Sequence, residues 1–231
     1  MDLPDNVKII KKTLEEVKSI MKQALEMDIV VHHPYKLCDF KPAYGFIFKD
    51  LVSNYDFWGC SDIDMIFGNI RNFITSKILN EYDVITPRHD YLGGYFTLYR
   101  NIRKVNELFR HSRDYERVFT TPFHYCFDET NFHFEEFAEG KHYTEAPSDV
   151  ESMTHVVKRL QEQNYIKAYF DYHVIDGIPG RIKWDRGTMI YKNKFEVLFY
   201  HLIMFKKRNV HPKFIKNIPE VFRISQTRIY V

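Results

Sequence analysis

Two aspartates separated by one residue, Asp62 and Asp64, are the pattern in this sequence that most directly suggests chemistry. They follow an apolar run, residues 57–60, that is typical of a buried strand. In an extended segment residues i and i+2 point to one face, so both carboxylates could bind one cation. Hard oxygen ligands suit Mg²⁺ or Mn²⁺, and open α/β sheets bind ligands at the carboxyl ends of their strands. The pair therefore predicts a metal site.

The aspartate pair also has a simpler interpretation. A chain of this composition contains about one D-x-D spacing by chance. A solvated strand end or a helix cap would explain the two residues without any ligand. The spacing alone does not decide between a metal site and a structural role.

The elements that must position this pair alternate between strands and helices in the first part of the chain. Strands are predicted at residues 6–10, 57–60, 84–86 and 95–99, and helices at residues 14–25, 39–51, 70–79 and from 103 onward. A capping box, Thr13 with Glu16, marks the start of the first helix. This alternation predicts an α/β domain.

After about residue 145 the pattern changes. One helix, residues 150–163, precedes strands predicted at residues 168–174, 181–184, 188–191 and 196–203, and a basic tail follows. We therefore divide the chain into a ligand-binding α/β core, residues 1–145, and a C-terminal part, residues 146–231, whose helix and strands complete the site.

The composition excludes several classes of protein. The net charge of +2 argues against a nucleic-acid coat, and 45% hydrophobic residues argue against a disordered chain. The three cysteines, Cys38, Cys60 and Cys126, form no C-x-x-C pair, so we expect a reduced, cytoplasmic setting without a disulfide framework.

Six blocks of the sequence, taken in order, resemble an uncharacterised family of bacterial glycosyltransferases. The blocks are residues 37–45, 55–59, 62–64, 67–71, 96–101 and 127–129. The resemblance implies a GT-A-like fold, in which helices flank a mixed sheet and a small β-rich part lies at the C-terminus. It also implies sugar transfer from a nucleotide-sugar donor, with Mn²⁺ or Mg²⁺ as cofactor and Asp62 and Asp64 at the metal–diphosphate site.

The same resemblance implies the partners of the protein. The acceptor would be a glycan or a lipid-linked glycan in surface polysaccharide synthesis, and no nucleic acid is expected. The protein would be cytoplasmic, with its basic tail touching the inner face of the membrane.

Members of the family generally start with an apolar strand and a base-binding turn, whereas residues 5–10 resemble a later strand. We therefore expect that first strand to be absent, or the base to be held differently.

A histidine late in the chain is a further candidate ligand. His201, with Lys207 six residues later, resembles the H-x-x-G-x-x-K element of glycogenin-type GT-A enzymes, although Met204 stands at the glycine position. The resemblance implies that His201 completes the metal shell and that Lys207 contacts the diphosphate. A half-buried strand histidine beside a basic surface is the alternative.

Two more pairs are candidates by resemblance. Asp39 and Lys41 would contact the donor sugar or phosphate, although Asp39 could instead be a helix N-cap. Asp128 and Glu129 follow an apolar run, and an inverting enzyme would use one of them, preferably Asp128, as the base for the acceptor hydroxyl. The alternative for this pair is a cap of a helix at residues 131–139.

Two rival functions remain open from the sequence. A metal-dependent phosphohydrolase would use Asp62 as nucleophile, but Met65 and Ile66 replace the expected residues after Asp64. A non-catalytic module that binds glycans or nucleic acid would use the aromatics and the basic tail, and it would need no metal.

Overall fold

The first helix begins where its capping box predicts. In the computed structural model, which describes residues 4–171, 173–175, 180–208 and 219–231, helix α1 spans Leu14–Leu25. Thr13 Oγ1 accepts a hydrogen bond from the Glu16 N–H (3.2 Å), and the Glu16 carboxylate accepts one from the Thr13 N–H (2.7 Å). The predicted bounds of this helix are confirmed.

Most of the other helices are short. They are α2 (Tyr44–Ile47), α3 (Lys49–Val52), α4 (Ile70–Phe73), α5 (Ser76–Glu81), α6 (Arg103–Asn106), α7 (Tyr115–Thr120), α8 (Phe134–Ala138), α9 (Met153–Glu162) and α10 (Ile203–Arg208), with 3₁₀ helices at Pro34–Ala43 and Leu108–His111. Segments this short are marginal in isolation, so their geometry depends on tertiary packing.

The strands form three sheets. They are β1 (Phe57–Ser61), β2 (Met65–Phe67), β3 (Val84–Thr86), β4 (Phe96–Arg100), β5 (Ala168–Phe170), β6 (Val174–Ile175), β7 (Ile182–Asp185), β8 (Thr188–Tyr191), β9 (Phe195–Glu196), β10 (Phe199–His201), β11 (Val221–Ile224) and β12 (Ile229–Tyr230). The sheet orders are β1-β4-β3-β5, β2-β10-β6 and β12-β11-β7-β8-β9. The first two sheets are mixed and the third is antiparallel. The fold is therefore mixed α/β with a β-rich C-terminal part.

The two parts divided at residue 145 share sheets and a core. Strand β5 pairs in parallel with β3, and β10 pairs antiparallel with β2. Helix α9 buries Met153 and Val156 in the same apolar cluster as Met21 and Leu25 of α1. The C-terminal chain therefore builds the surroundings of the aspartate pair together with the N-terminal chain.

Several predicted elements differ from the structure. Residues 6–10 form no strand, because they lie exposed with no neighbouring strand to pair with. The helix predicted at residues 39–51 is a 3₁₀ helix followed by α2 and α3, and the one at residues 70–79 is split into α4 and α5. The strand predicted at residues 168–174 is divided between β5 and β6, and the one predicted at residues 196–203 is divided between β9 and β10, which ends at His201.

A glycine and a tryptophan from the resembling blocks fix the position of β1. A Cβ on Gly45 would lie 2.1 Å from the Trp58 ring, so the indole packs directly on the backbone of α2. The ring also stacks on Tyr99 (4.5 Å between centroids), and its Nε1–H donates to Asn106 Oδ1 (2.7 Å). This packing holds the strand that leads into Asp62.

Candidate active site

The structure brings Asp62, Asp64 and His201 together. One ligand atom from each lies within 4.8 Å of the others. His201 Nε2 is 3.6 Å from Asp64 Oδ2 and 3.9 Å from Asp62 Oδ2. His201 is buried, whereas the two aspartates are partly exposed. Two carboxylate oxygens and one imidazole nitrogen suit Mn²⁺, and the carboxylates also suit Mg²⁺.

Backbone hydrogen bonds hold the three residues side by side. The Asp62 N–H donates to the Tyr95 carbonyl (2.9 Å) directly after β1 ends. The Leu202 N–H donates to the Asp64 carbonyl (2.9 Å), and His201 of β10 lies opposite Met65 of β2. The histidine, 137 positions later in the chain, is thus fixed beside the aspartate pair by sheet pairing.

Each aspartate is paired with a lysine. Lys41 Nζ lies 2.7 Å from Asp62 Oδ1, and Lys206 Nζ lies 2.6 Å from Asp64 Oδ2. Burial alone would raise the pKa of Asp64, but the Lys206 hydrogen bond and nearby His201 outweigh it and lower that pKa. The carboxylate of Asp64 is therefore ionised at neutral pH, as a metal ligand must be.

The acidic pair Asp128 and Glu129 lies beside the same lysine. Lys41 Nζ is 3.7 Å from Asp128 Oδ2 and donates to the Gly94 carbonyl (2.8 Å). Burial works against the charge on Lys41, but Asp128 and Asp62 outweigh it and raise the Lys41 pKa above its usual range. Lys41 therefore stays charged and links the predicted metal ligands to the acidic pair.

Both members of the acidic pair have a raised pKa. For Asp128 the cause is burial followed by the charge of Glu129, and for Glu129 it is burial, opposed by the Gly94 N–H that donates to Oε1 (2.8 Å). A carboxylate whose pKa is raised is a stronger base when ionised. Helix α8 begins five residues later at Phe134, so this pair does not cap it.

A cavity of about 370 Å³ contains most of the predicted site residues. Lys41, Asp62, Asp128, Glu129 and His201 all line it. Cys38 also lines it, but burial raises the pKa of its thiol to about 11, so this thiol is not a nucleophile at neutral pH. The cavity therefore joins two of the three predicted metal ligands, Asp62 and His201, to a buried carboxylate pair.

A larger groove, about 1330 Å³, lies near the other end of β1. Arginine and asparagine side chains such as Arg71, Arg100 and Asn101 line it, and Asp56 is the only acid among the described residues on its walls. This groove holds neither the aspartate pair nor His201. Its size does not make it the reactive site, because no second His, Cys, Asp or Glu among its described lining residues stands beside Asp56 to complete a metal site.

Asp39 is not at the cavity. Its side chain is fully buried, ion-paired to Lys36 (2.8 Å), and its oxygens accept from the Tyr125 and Phe127 N–H groups (both 2.9 Å). It lies inside the 3₁₀ helix Pro34–Ala43, so it is not an N-cap. The predicted donor contact and the N-cap alternative are both replaced by a structural role: Asp39 anchors the segment that leads into Asp128.

The lysine beside Asp64 is Lys206, whereas the sequence predicted Lys207 as the diphosphate contact. Both belong to α10, where adjacent side chains point about 100° apart, so only one can face Asp64. Lys207 is exposed. The sequence prediction extended the strand to residue 203. It therefore did not show where α10 begins or which lysine of that helix faces Asp64.

Sequence reasoning missed two residues that shape the site. Gly94 donates its N–H to Glu129 and accepts from Lys41, and a Cβ there would lie 2.2 Å from Asp128 Oδ2. Tyr95 lies against His201, with 5.0 Å between ring centroids. The adjacent glycines Gly93 and Gly94, just before β4, are the sequence signal that indicates this close backbone approach.

Comparison with known proteins places the chain in a family. Residues 1–231 match a protein family described as a family of unknown function (DUF6625). The chain belongs to that family. No curated protein and no solved structure matches it significantly. Within the described parts of the chain, no helix combines the length and apolar character that a membrane crossing requires.

Proposed function

We propose that this protein is a metal-dependent glycosyltransferase that moves a sugar from a nucleotide-sugar donor to a glycan acceptor. The observation that carries the proposal is the convergence of Asp62, Asp64 and His201 beside the Asp128–Glu129 pair. The GT-A-like fold is part of the proposal, supported by a D-x-D segment directly after β1 and a late histidine strand beside it.

The residues present fit this chemistry. A divalent cation bound by Asp62, Asp64 and His201 would neutralise the charge that develops on the leaving diphosphate. Lys206, beside Asp64, is placed to donate to a diphosphate oxygen. Asp128 would orient the acceptor hydroxyl and, in an inverting reaction, receive its proton.

The bonds of this transfer balance without a further reactant. The bond between the anomeric carbon and the diphosphate oxygen breaks, and its electron pair stays on the diphosphate. The acceptor oxygen forms the new bond to that carbon, and its proton passes to the Asp128 carboxylate. Lys41 remains charged throughout and reduces the repulsion between the Asp62 and Asp128 carboxylates.

The proposal is tested by incubating the protein with Mn²⁺ and a panel of nucleotide-sugars and measuring nucleoside diphosphate release. We expect one donor to be hydrolysed or transferred only when Mn²⁺ or Mg²⁺ is present. Hydrolysis of a generic phosphate ester without any sugar donor would favour a phosphohydrolase instead. Absence of any metal-dependent nucleotide binding would contradict both enzyme functions.

His201→Ala should weaken Mn²⁺ binding about 10-fold or more, because the metal loses one of three protein ligands. Calorimetric titration with Mn²⁺ measures this directly. His173→Ala serves as the control, since that histidine is partly buried but lies outside the cavity. Equal Mn²⁺ affinities for wild type and His201→Ala would remove His201 from the site.

Lys206→Met and Lys207→Met form a matched pair that tests which lysine meets the diphosphate. Lys206→Met should lower the affinity for a nucleoside diphosphate with Mn²⁺ on the order of 10-fold, because a charge-assisted hydrogen bond is lost. Its affinity for Mn²⁺ alone should be unchanged or higher, since a competing positive charge leaves Asp64. A larger loss of nucleoside diphosphate affinity in Lys207→Met than in Lys206→Met would mean that Lys207 contacts the diphosphate, as the sequence predicted.

Gly94→Ala should lower sugar transfer by about 10²-fold while metal–nucleotide binding remains. The added Cβ would lie 2.2 Å from Asp128 Oδ2 and 2.8 Å from Glu129 Cγ, so the acidic pair must shift. Displacements of about 1 Å in a reactive group have effects of this size. Gly93→Ala is the control, because the nearest neighbours of its Cβ would be atoms of the Tyr95 ring, the first at 3.2 Å, and not atoms of the acidic pair. Equal transfer rates in the two variants would show that the pair does not act in the reaction.

A further inference from the structure

The loop that carries the acidic pair has an unusual backbone. Within residues 126–132, three residues other than glycine have positive φ: Cys126 (50°), Asn131 (55°) and Phe132 (68°). Asparagine tolerates this region, but a bulky aromatic residue such as Phe132 rarely adopts it. Such a conformation persists only where surrounding contacts impose it, and it is concentrated at functional sites.

Contacts other than the Phe132 ring impose the shape of this loop. The Asn131 N–H donates to the Cys126 carbonyl (3.0 Å), Asn131 Nδ2 donates to the Tyr125 carbonyl (2.9 Å), and Ser148 Oγ donates to Asn131 Oδ1 (3.0 Å). The Glu129 carbonyl accepts from the Thr154 N–H (3.1 Å). The loop shape therefore determines the position of the Phe132 ring, and the ring is not needed to maintain that shape.

The strained residue presents an exposed ring at the cavity. Phe132 is 58% exposed and Tyr35 is 66% exposed, and both line the cavity that contains Asp128. The His124 ring lies between them, edge-on to each, with centroids 4.7 Å from Tyr35 and 5.6 Å from Phe132. Two large aromatic side chains are thus exposed to water beside the carboxylates. Packing in the protein core does not explain why aromatic residues occupy these positions.

The charges of the cavity define the ligand that these rings fit. Asp62, Asp128 and Glu129 line it, and Lys41 is the one Lys or Arg among the described residues on its walls. Even with one member of the buried acidic pair protonated, the carboxylates outnumber Lys41, so the cavity repels an anionic group that no metal ion bridges. Carboxylates accept hydrogen bonds from hydroxyls, and aromatic rings bind apolar surface. A neutral sugar ring offers both, because it has hydroxyls at its edge and a C–H surface on its face.

We propose that Phe132 and Tyr35 form an acceptor subsite for an uncharged sugar ring, which rests on the two aromatics and directs a hydroxyl toward Asp128. This inference rests on the proposed glycosyltransferase function and adds the chemical class of the acceptor. It also assigns a use to the strained backbone at Phe132, which positions the ring beside the reacting groups.

The test uses saturation-transfer NMR with the full chain and a panel of methyl hexopyranosides. Each is paired with the corresponding methyl glycoside of the uronic acid (its uronide), which carries a carboxylate at C6. We expect wild type to bind at least one neutral glycoside and to bind its uronide more weakly. Phe132→Ala and Phe132→Gly should lose roughly 5- to 10-fold in glycoside affinity, and Phe132→Tyr should keep it. Phe123→Ala is the control, because Phe123 is at least as exposed (66%, against 58% for Phe132) but does not line the cavity.

Phe132→Gly separates binding from folding. Glycine adopts positive φ without strain, so this variant should melt no lower than wild type while it loses glycoside binding. The inference is overturned if wild type binds no neutral glycoside, if uronides bind as well as neutral sugars, or if Phe132→Ala binds like wild type. Manganese-dependent nucleotide binding, measured on the same samples, tests the proposed function independently, because Phe132 takes no part in the metal–diphosphate site.

Discussion

Asp39→Asn is expected to destabilise the protein by about 3–5 kcal/mol, which is a large part of the stability of a typical domain. The change leaves the Lys36 ammonium fully buried without its anion. Each Asp39 oxygen accepts a hydrogen bond from a backbone N–H, of Tyr125 or of Phe127. In asparagine one of these oxygens becomes an NH₂ group, so one backbone donor would face another donor. Urea unfolding followed by circular dichroism measures the loss.

The matched control for this change is an ion pair on the surface. Lys22 Nζ lies 2.5 Å from Asp28 Oδ1, but both side chains are exposed. Water already solvates these charges, so Asp28→Asn should leave the urea midpoint unchanged. Similar midpoints for Asp39→Asn and Asp28→Asn would mean that the Lys36–Asp39 pair does not stabilise the fold.

The stabilisation that Asp39 contributes should depend on pH, in a direction set by the shift of its pKa. Burial would raise the Asp39 pKa, but hydrogen bonding from His124 and the charge of Lys36 outweigh it and lower the pKa in the folded protein. The stabilisation is therefore complete above the unfolded value of about 3.9 and is lost as the pH falls through the lower folded value. We expect acid to weaken wild type more steeply than Asp39→Asn in this range.

Asp64→Asn should abolish the metal-dependent binding of a nucleoside diphosphate, and Asp62→Asn should weaken it. We expect a loss of at least about 10²-fold for Asp64→Asn, because loss of an outer partner alone weakens metal binding about 10- to 100-fold. An amide oxygen carries no net charge and binds a hard cation less strongly than a carboxylate does. Calorimetry with Mn²⁺ and the diphosphate measures both variants.

The control for this pair is an aspartate at the opposite end of the same strand. Asp56 precedes β1 and is exposed, so Asp56→Asn should bind metal and nucleotide as wild type does. Melting curves without metal should show that Asp64→Asn remains folded, because its partner Lys206 is largely exposed. Unchanged affinities in Asp62→Asn and Asp64→Asn would remove the metal site from this account.

The sequence predicted features that depend on local patterns. The capping box located the first helix, and the apolar run at residues 57–60 located β1 and hence the end where Asp62 lies. These predictions succeeded because N-caps and buried strands are specified by neighbouring residues. The grouping of His201 with the aspartates was predicted from resemblance to known enzymes, because the pairing of β2 with β10 is not visible in local sequence.

The parts that sequence reasoning missed depend on tertiary context. Lys36 and Asp39 are spaced for an ion pair, but their spacing does not reveal that both side chains are completely buried. The choice between Lys206 and Lys207 depends on where β10 ends and α10 begins, and a difference of one residue rotates the side chain by about 100°. The close approach of Gly94 to Asp128 joins segments 34 residues apart in the chain.

The central claim, a metal–diphosphate site formed by Asp62, Asp64 and His201, is tested most directly by anomalous diffraction from crystals grown with Mn²⁺ and a nucleoside diphosphate. We expect one manganese peak within about 2–2.5 Å of an oxygen of each aspartate and of His201 Nε2, with the diphosphate on the open side of the ion. A manganese ion bound elsewhere, or no manganese peak although the diphosphate is bound, would contradict it.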